Sequence, residues 1–307
     1  MRVDVHAHYY DAELLNATAP LGGDFSAVAA AAPCSGLSLA ERFDLMDQAG
    51  IEVQVISPGG LQPYTENRDL ATSSARLIND AYAGQVSRHA GRLAFFGCVP
   101  LPHVEGAIVE AARCLDDLGA AGINLGCSVL DGPLDNPAFE PLWAELHRRR
   151  AVVFLHPLGT VRPMMGEFGL AWAIGGRFED TVAAGRLASA GVVHRYPDLR
   201  IIVPHLGGAI PFLWDRFRDR PAADGRTYDV KEGLARMYYD SINLAPGMLC
   251  AACGIVTPGH VLLGTDFPWT PGDLTRFVRH VEDSGLPPMD AAAILDANAA
   301  QLLGLNS

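Results

Sequence analysis

The feature that most constrains the fold of this chain is an eightfold alternation of short apolar runs with longer segments of helical periodicity. The apolar runs are rich in β-branched residues and do not alternate strictly with polar ones, which is typical of parallel strands buried on both faces. The runs predicted as strands are Val3–Val5, Val53–Ser57, Leu93–Val99, Gly122–Leu125, Val152–Leu155, Ile201–Val203, Met237–Tyr239 and Val261–Leu263. The helical patterns between them include Leu39–Ala49, Ala71–Ala90, Val104–Leu118, Phe139–Arg149 and Phe178–Arg195.

Such an alternation predicts an α/β fold, either a closed barrel or an open doubly wound sheet. No Gly-x-Gly-x-x-Gly motif follows the first run, which argues against a dinucleotide-binding open sheet. Candidate functional residues follow the first, fifth, sixth and eighth runs. That distribution suits the C-terminal face of a (β/α)8 TIM barrel, where many strand ends meet. We therefore predict one barrel domain over residues 1–307, with the Ala/Gly-rich stretch Gly22–Gly36 as a short insertion loop over the barrel mouth.

Composition limits the classes of partner. The chain has 307 residues, 49% of them hydrophobic, and a net charge of −12 without a block of Lys or Arg. This balance argues against nucleic acids and anionic membranes as partners, and it says nothing positive about the substrate. The N-terminus has no apolar core of signal-peptide length, and the six scattered Cys favour reduced thiols. These features predict a cytoplasmic enzyme.

Histidine and aspartate residues follow four of the predicted strands. His6 and His8 are two residues apart at the end of the first run, so their side chains point to the same side. His156 follows the fifth run, His205 the sixth, and Asp266 the eighth. Imidazoles together with one carboxylate suit a borderline divalent ion such as Zn²⁺, with Mn²⁺ or Fe²⁺ as alternatives. The fourth run carries Asn124, where a binuclear site would need a bridging Lys, so we predict one metal ion.

These motifs, in this order, resemble the amidohydrolase superfamily, and within it the branch of aminocarboxymuconate semialdehyde decarboxylase and related aromatic-acid decarboxylases. The resemblance covers nearly the whole chain, from Val3 to Leu305. It is specific at three segments: His205-Leu206-Gly207-Gly208-Ala209-Ile210-Pro211-Phe212, Gly264-Thr265-Asp266-Phe267-Pro268 and Met46-Asp47-Gln48-Ala49-Gly50.

The resemblance implies roles for the candidate residues. The implied metal ligands are His6, His8, His156 and Asp266, and His205 is the implied acid/base, with Asp266 as a second candidate proton donor. Arg42 falls where the family carries an arginine that binds the substrate carboxylate, although a solvated helix residue is the alternative. Trp172 matches an aromatic residue of the family's pocket, with core packing as its alternative.

Arg216 matches an arginine that can enter the neighbouring subunit's site in the family, where dimers are usual. A surface ion pair is the alternative for this residue, because Arg216 lies among Asp215, Arg218 and Asp219. The segment Gly159–Gly169 departs from the family's substrate patterns, which leaves the substrate open.

The reaction that the resemblance implies is non-oxidative decarboxylation of an aromatic or conjugated carboxylic acid. Metal-dependent hydrolysis of a lactone, amide or related bond is the alternative, because hydrolases and lyases of this superfamily share their ligand sets. A metal-binding protein without catalytic activity is a third hypothesis. Carbon dioxide release from a panel of acids separates the first from the second.

Overall fold

Eight parallel strands form a ring, and helices cover its outer side. The computed structural model describes residues 1–22, 29–159, 165–270 and 272–305. The strands are β1 Val3–His8, β2 Val53–Ser57, β3 Leu93–Gly97, β4 Gly122–Gly126, β5 Val152–His156, β6 Arg200–Val203, β7 Tyr238–Asp240 and β8 Val261–Leu262. Each pairs with the next one along the chain. The backbone N–H of Val5 donates to the Leu263 carbonyl at 2.9 Å and that of His8 to the Phe267 carbonyl at 2.6 Å, so the ends of the sheet meet. The predicted barrel is confirmed.

The helices lie between and after the strands. Their bounds are Ala12–Thr18, Leu39–Gln48, Arg68–Arg88, Val104–Asp116, Glu140–Arg148, Arg177–Ser189, Val192–Arg195, Ile210–Leu213, Val230–Ala235, Met248–Cys253, Thr275–Glu282, Pro288–Asp296 and Asn298–Leu303. The single helix predicted over Phe178–Arg195 is wrong, because the chain forms two helices that are interrupted at Gly191. Gly191 has φ +74°, and a side chain there would collide with the Tyr228 ring. None of the described helices is long and apolar enough to cross a membrane.

A helix that was not predicted from the sequence lies between β1 and the predicted insertion loop. A helix, Ala12–Thr18, begins directly after Asp11, whose side chain accepts a hydrogen bond from the Leu14 N–H at 2.8 Å. Of the predicted insertion loop Gly22–Gly36, residues 23–28 lie outside the described residues. Its described part includes Ala29 and Cys34, which line a cavity together with His8. This part of the insertion therefore lies beside the barrel mouth.

A β-bulge in β1 brings its first histidine into the barrel. Asp4 pairs with Gln54 and Ala7 with Ile56, so two residues of β1 lie opposite the single residue Val55. The extra residue changes the alternation of side chains along the strand. As a result Val5 packs among the buried apolar side chains inside the barrel. The His6 ring also faces inward, and its centroid lies 4.9 Å from that of the Phe154 ring.

Candidate metal centre

Four side chains from three strand ends converge at the barrel mouth: His6, His8, His156 and Asp266. Each offers one ligand atom, and these atoms all lie within 4.8 Å of one another. The Nε2 atoms of His6 and His8 are 3.2 Å apart, and Asp266 Oδ1 lies 3.3 and 3.2 Å from them. The structure thus brings together the four residues predicted as metal ligands.

The second ring nitrogen of each histidine faces a hydrogen-bond acceptor. The three Nδ1 contacts are His6 to Asp240 Oδ2 at 2.6 Å, His8 to the Ser57 carbonyl at 3.1 Å, and His156 to the Pro157 carbonyl at 2.8 Å. An Nδ1–H that donates to an acceptor leaves the lone pair of Nε2 free for a metal. His156 Nε2 is buried and has no hydrogen-bond partner among the described residues. Three converging nitrogen donors and one carboxylate fit one divalent ion.

Charge at the centre lies on His6 and on the carboxylates of Asp266 and Asp240. Burial alone lowers the pKa of His6, but the carboxylates of Asp266 and Asp240 outweigh it and raise that pKa to about 10. Burial also lowers the pKa of His8 and holds the pKa of His156 well below its usual range. The pKa of Asp266 is well below its usual range, because the charge of His6 and hydrogen bonds from histidines outweigh burial. Before a cation binds, His6 is therefore protonated at neutral pH and Asp266 is ionised.

This charge distribution predicts that metal binding releases a proton. A cation must displace the His6 proton, so we expect about one proton released per metal at pH 7.5 and an affinity that rises about tenfold per pH unit between pH 6 and 9. The direction follows from the raised pKa of His6, about 10, below which the ring carries the competing proton. Calorimetric titration in two buffers of different ionisation enthalpy measures the proton count. Metal binding without proton release would contradict the protonated state of His6.

His205 lies beside the cluster and is oriented by a buried carboxylate. Its Nδ1 is 2.8 Å from Asp180 Oδ2, and its Nε2 is 3.6 Å from Asp266 Oδ2. Asp180 belongs to helix Arg177–Ser189 and is fully buried. A carboxylate on Nδ1 fixes the tautomer of a neutral imidazole and leaves Nε2 facing Asp266 at the mouth.

Two carboxylates that contact the histidines of this site, Asp180 and Asp240, were not predicted from the sequence. Asp240 ends β7, so the strand-end rule that found the other carboxylate would also have found it. Asp180 lies within a helix, and no spacing in the sequence relates it to His205.

Arg42 is a buried residue, not a solvated one. Its side chain is 2% exposed; Nε donates to Gln54 Oε1 and one terminal nitrogen donates to the His8 carbonyl, both at 2.7 Å. Its guanidinium carbon lies 4.8 Å from the Phe267 ring centroid, and burial lowers the pKa of Arg42 to about 10. The other terminal nitrogen has no partner in the part of the chain that the structure describes. Arg42 lines a cavity of about 310 Å³ together with His8 and Tyr10.

Trp172 lies in an aromatic group over the mouth, and its core-packing alternative does not hold. It belongs to the π-helix Ala171–Gly176, is 45% exposed, and stacks on Trp269 at 6.4 Å. Trp269 Nε1 donates to the Tyr10 hydroxyl at 3.2 Å, and the Tyr10 ring stacks on His8 at 5.9 Å. The group therefore forms an apolar wall next to a predicted ligand.

Arg216 lies on the outer wall of its own chain. It ends the turn Trp214–Arg216, is exposed, and lines a groove of about 1240 Å³ with Val182 and Leu213. None of the four clustered ligands lines this groove. A role of Arg216 in substrate binding stays a prediction that requires a second subunit.

Gly59 allows the backbone of the loop after β2 to lie close to the rings of His8 and His156. It has φ +60°, and an added Cβ would lie 2.6 Å from His8 Cε1 and 3.3 Å from His156 Cε1. We expect Gly59→Ala to displace His8 and weaken metal binding by about tenfold, measured by competition with a chelator. Gly91→Ala is the matched control, because Gly91 also has positive φ, +79°, but has open space around it. Both variants should lose roughly 1 kcal/mol of folding stability to backbone strain. Equal metal affinities of Gly59→Ala and Gly91→Ala would contradict this role of Gly59.

Comparison with known proteins shows which family this chain matches. A protein-family model described as "Amidohydrolase" matches residues 3–305. The 6-methylsalicylic acid decarboxylase of Penicillium expansum is 31% identical over 304 residues, covering 93% of this chain and 91% of that protein. The 2-amino-3-carboxymuconate-6-semialdehyde decarboxylase of Dictyostelium discoideum is 28% identical over 279 residues, covering 86% and 76%. A dihydroxybenzoic acid decarboxylase from a Polaromonas species, crystallised with manganese and 2-nitroresorcinol, has a TM-score of 0.83 at 23% identity, covering 100% and 97%.

Proposed function

Because the chain belongs to the amidohydrolase family, we propose that it is a metal-dependent, non-oxidative decarboxylase of a small aromatic or conjugated carboxylic acid. The observation that carries this proposal is the match to a 6-methylsalicylic acid decarboxylase over more than nine tenths of both chains. The metal-binding geometry agrees with it but does not distinguish decarboxylation from hydrolysis, since both reactions use such ligand sets.

The metal proposed is one divalent ion held by His6, His8, His156 and Asp266. Three imidazole donors favour zinc, and manganese, present in the Polaromonas relative, is the alternative. When bound, the ion supplies positive charge that stabilises negative charge on a substrate carboxylate. Each imidazole is already oriented by its Nδ1 hydrogen bond, which lowers the cost of assembling the site.

Substrate binding is assigned to Arg42 and the aromatic wall. A buried guanidinium with one unpartnered nitrogen favours an anion, because a buried charge is stable only when it is paired. A substrate carboxylate that reaches the cavity beside His8 meets that requirement. The rings of Trp172 and Trp269 then pack on the substrate's conjugated system and exclude water.

The proton required by decarboxylation is assigned to His205. In its protonated form it donates the Nε2 proton to the carbon that bears the carboxylate. The bond from that carbon to the carboxylate then breaks, its electron pair restores conjugation in the product, and CO₂ leaves. The Asp180 carboxylate stabilises the positive charge of the protonated ring. Asp266, 3.6 Å from His205 Nε2, is the alternative proton donor.

A substrate panel tests the reaction class. The panel combines hydroxybenzoates, indole and pyrrole carboxylates and muconate-type acids with lactones and amides. We expect CO₂ release from at least one acid and no hydrolysis of the neutral compounds. Hydrolysis without any CO₂ release would replace this proposal by the hydrolase alternative.

Arg42 gives a prediction on substrate affinity. Arg42→Met keeps a long side chain but removes the positive charge and the N–H donors of the guanidinium. Because one charge-assisted hydrogen-bonded pair with the substrate carboxylate is lost, we expect KM for the acid to rise about 10²-fold. Arg68→Met is the control, because Arg68 is two-thirds exposed and pairs with Glu105 at the surface. Steady-state CO₂ release measures both variants. An unchanged KM in Arg42→Met would make Arg42 a structural residue.

A homodimer is proposed from an exposed apolar surface beside the mouth, which we call the Phe212 face. Its members are large, exposed hydrophobic side chains: Phe168, Trp172, Ile174, Phe178, Val182 and Phe212. The Ala209 N–H donates to Thr181 Oγ1 at 2.8 Å, which places the Phe212 segment against the helix that carries Phe178 and Val182. Contiguous exposed apolar surface of this kind marks an interaction site, and a second copy there also brings Arg216 near an interface.

Light scattering tests the dimer. We expect a mass of twice 32.7 kDa for the wild type and a monomer for Phe212→Ser. Met289→Ser is the control, because Met289 is as exposed as Phe212, at 85%, and lies outside the Phe212 face. A monomeric wild type would contradict the proposal.

A further inference from the structure

We propose that Asp4, two residues before the first predicted ligand, is a positioning residue that holds the two metal-bearing segments of the barrel together. These segments are the end of β1 and the turn after β8. The second half of the inference is that Gln54 extends the same hydrogen-bond network to Arg42; this half rests on the proposed role of Arg42, and the first half does not.

One oxygen of Asp4 binds the backbone of both segments. Oδ1 accepts the His6 N–H at 3.1 Å and the Thr265 N–H at 3.0 Å. His6 is a predicted ligand and Thr265 directly precedes another, Asp266. A shift of this carboxylate therefore moves two ligands relative to each other.

The other oxygen is bound by side chains. Oδ2 accepts the Thr265 hydroxyl at 2.6 Å and Gln54 Nε2 at 2.8 Å. Asp4 is fully buried, so its two oxygens are satisfied entirely by these four donors. No lone pair needs to be directed at the metal, which makes Asp4 a support of the ligands and not a fifth ligand.

Gln54 joins this carboxylate to the guanidinium of Arg42. The Gln54 amide nitrogen faces Asp4, which accepts only, and its oxygen accepts from Arg42 Nε at 2.7 Å. The acceptor on one side and the donor on the other fix the orientation of the amide. Arg42 is otherwise held by the His8 carbonyl, so both contacts tie it to the metal centre.

Four variants, each measured as folded protein, test the inference. Chelator competition measures their Mn²⁺ affinity, and calorimetry measures the benzoate affinity of the metal-loaded protein. In Asp4→Asn an NH₂ group replaces one carboxylate oxygen and faces hydrogen-bond donors, which it cannot accept from. We therefore expect Mn²⁺ affinity to fall by about 10–100-fold. Thr265→Val removes one of the four donors and should weaken Mn²⁺ by about 3–10-fold. It also keeps the inference testable if Asp4→Asn does not fold.

The other two variants separate the halves of the inference. For Gln54→Leu we expect benzoate affinity to fall by about tenfold and Mn²⁺ affinity to fall by about 3–10-fold as in Thr265→Val, because both variants remove one donor to Asp4 Oδ2. Thr265→Val, which leaves the contact of Gln54 with Arg42 intact, should keep benzoate affinity within about threefold of wild type. Glu110→Gln is the matched control: Glu110 is a carboxylate 2% exposed, bound by Asn79 and Arg113 away from the mouth. It should lose stability but neither affinity.

Wild-type Mn²⁺ affinity in folded Asp4→Asn or in Thr265→Val, or an equal loss in Glu110→Gln, would overturn the role of Asp4. Wild-type benzoate affinity in Gln54→Leu would overturn the link to Arg42. A wild-type protein that binds Mn²⁺ but releases CO₂ from no acid would remove the proposed function and leave the Mn²⁺ result for Asp4 interpretable.

Discussion

Replacing Asp266 by Asn is expected to lower kcat/KM for the acid substrate by about 10³-fold and to leave the purified protein with little bound metal. Asp266 is the one carboxylate among the four clustered ligands, and its Oδ1 lies within 3.3 Å of two imidazole nitrogens. A neutral amide removes the negative charge that a cation requires. Its second oxygen also faces His205 Nε2, so the change alters the acid/base group as well.

The matched control for this change is Asp198→Asn. Asp198 is half exposed and its contact with Arg150, at 3.9 Å, lies on the opposite face of the barrel. The two variants have the same change in formal charge, so metal content and CO₂ release should separate them cleanly. Full metal content together with full turnover in Asp266→Asn would remove Asp266 from the ligand set.

His205→Ala has the second largest expected effect, a loss of kcat by about 10²–10⁴-fold with metal content unchanged. His205 is held through Nδ1 by Asp180, and its Nε2 faces Asp266 without belonging to the group of converging ligands. Removing the ring therefore removes the proton donor but leaves the four ligands in place. Metal analysis and steady-state CO₂ release on the same preparation measure both quantities.

His103→Ala is the comparison, because among the described residues the His103 ring bonds only to the Thr65 carbonyl, and it lies outside the cluster. It should behave as wild type. Loss of metal in His205→Ala would make His205 a ligand, and retained turnover would give it a structural role only.

Much of the fold could be predicted from the sequence because its pattern is periodic. Buried parallel strands leave short apolar runs, and seven of the eight observed strands match those runs to within two residues at each end, whereas β1 continues three residues beyond its predicted end, to His8. The break at Gly191 escaped prediction, because a glycine inside a helical pattern does not by itself indicate a positive φ. The bulge at Val5 and His6 also escaped, because it depends on pairing with β2. The cytoplasmic location and the single-domain span stay predictions.

The convergence of His6, His8, His156 and Asp266 was predictable because the barrel gathers the ends of its strands at one face, and these residues lie at or just after strand ends. The family, and the decarboxylase class of its relatives, were predictable from the same motifs. The side chains that orient His205 and Arg42 were not predictable in this way. Asp180 reaches His205 from a helix, and Gln54 on β2 contacts Arg42 on the helix Leu39–Gln48, so only the packed structure shows these partners.

The measurement that tests the central claim most directly is CO₂ release during reconstitution with metal. The protein is stripped with a chelator, Zn²⁺ or Mn²⁺ is added back in steps, and CO₂ from the acid panel is recorded at each step. We expect no CO₂ release from the stripped protein, and a rate of CO₂ release that rises linearly with added metal until one metal is bound per chain. Release that persists after stripping, or one bound metal per chain with no CO₂ from any acid, would contradict it.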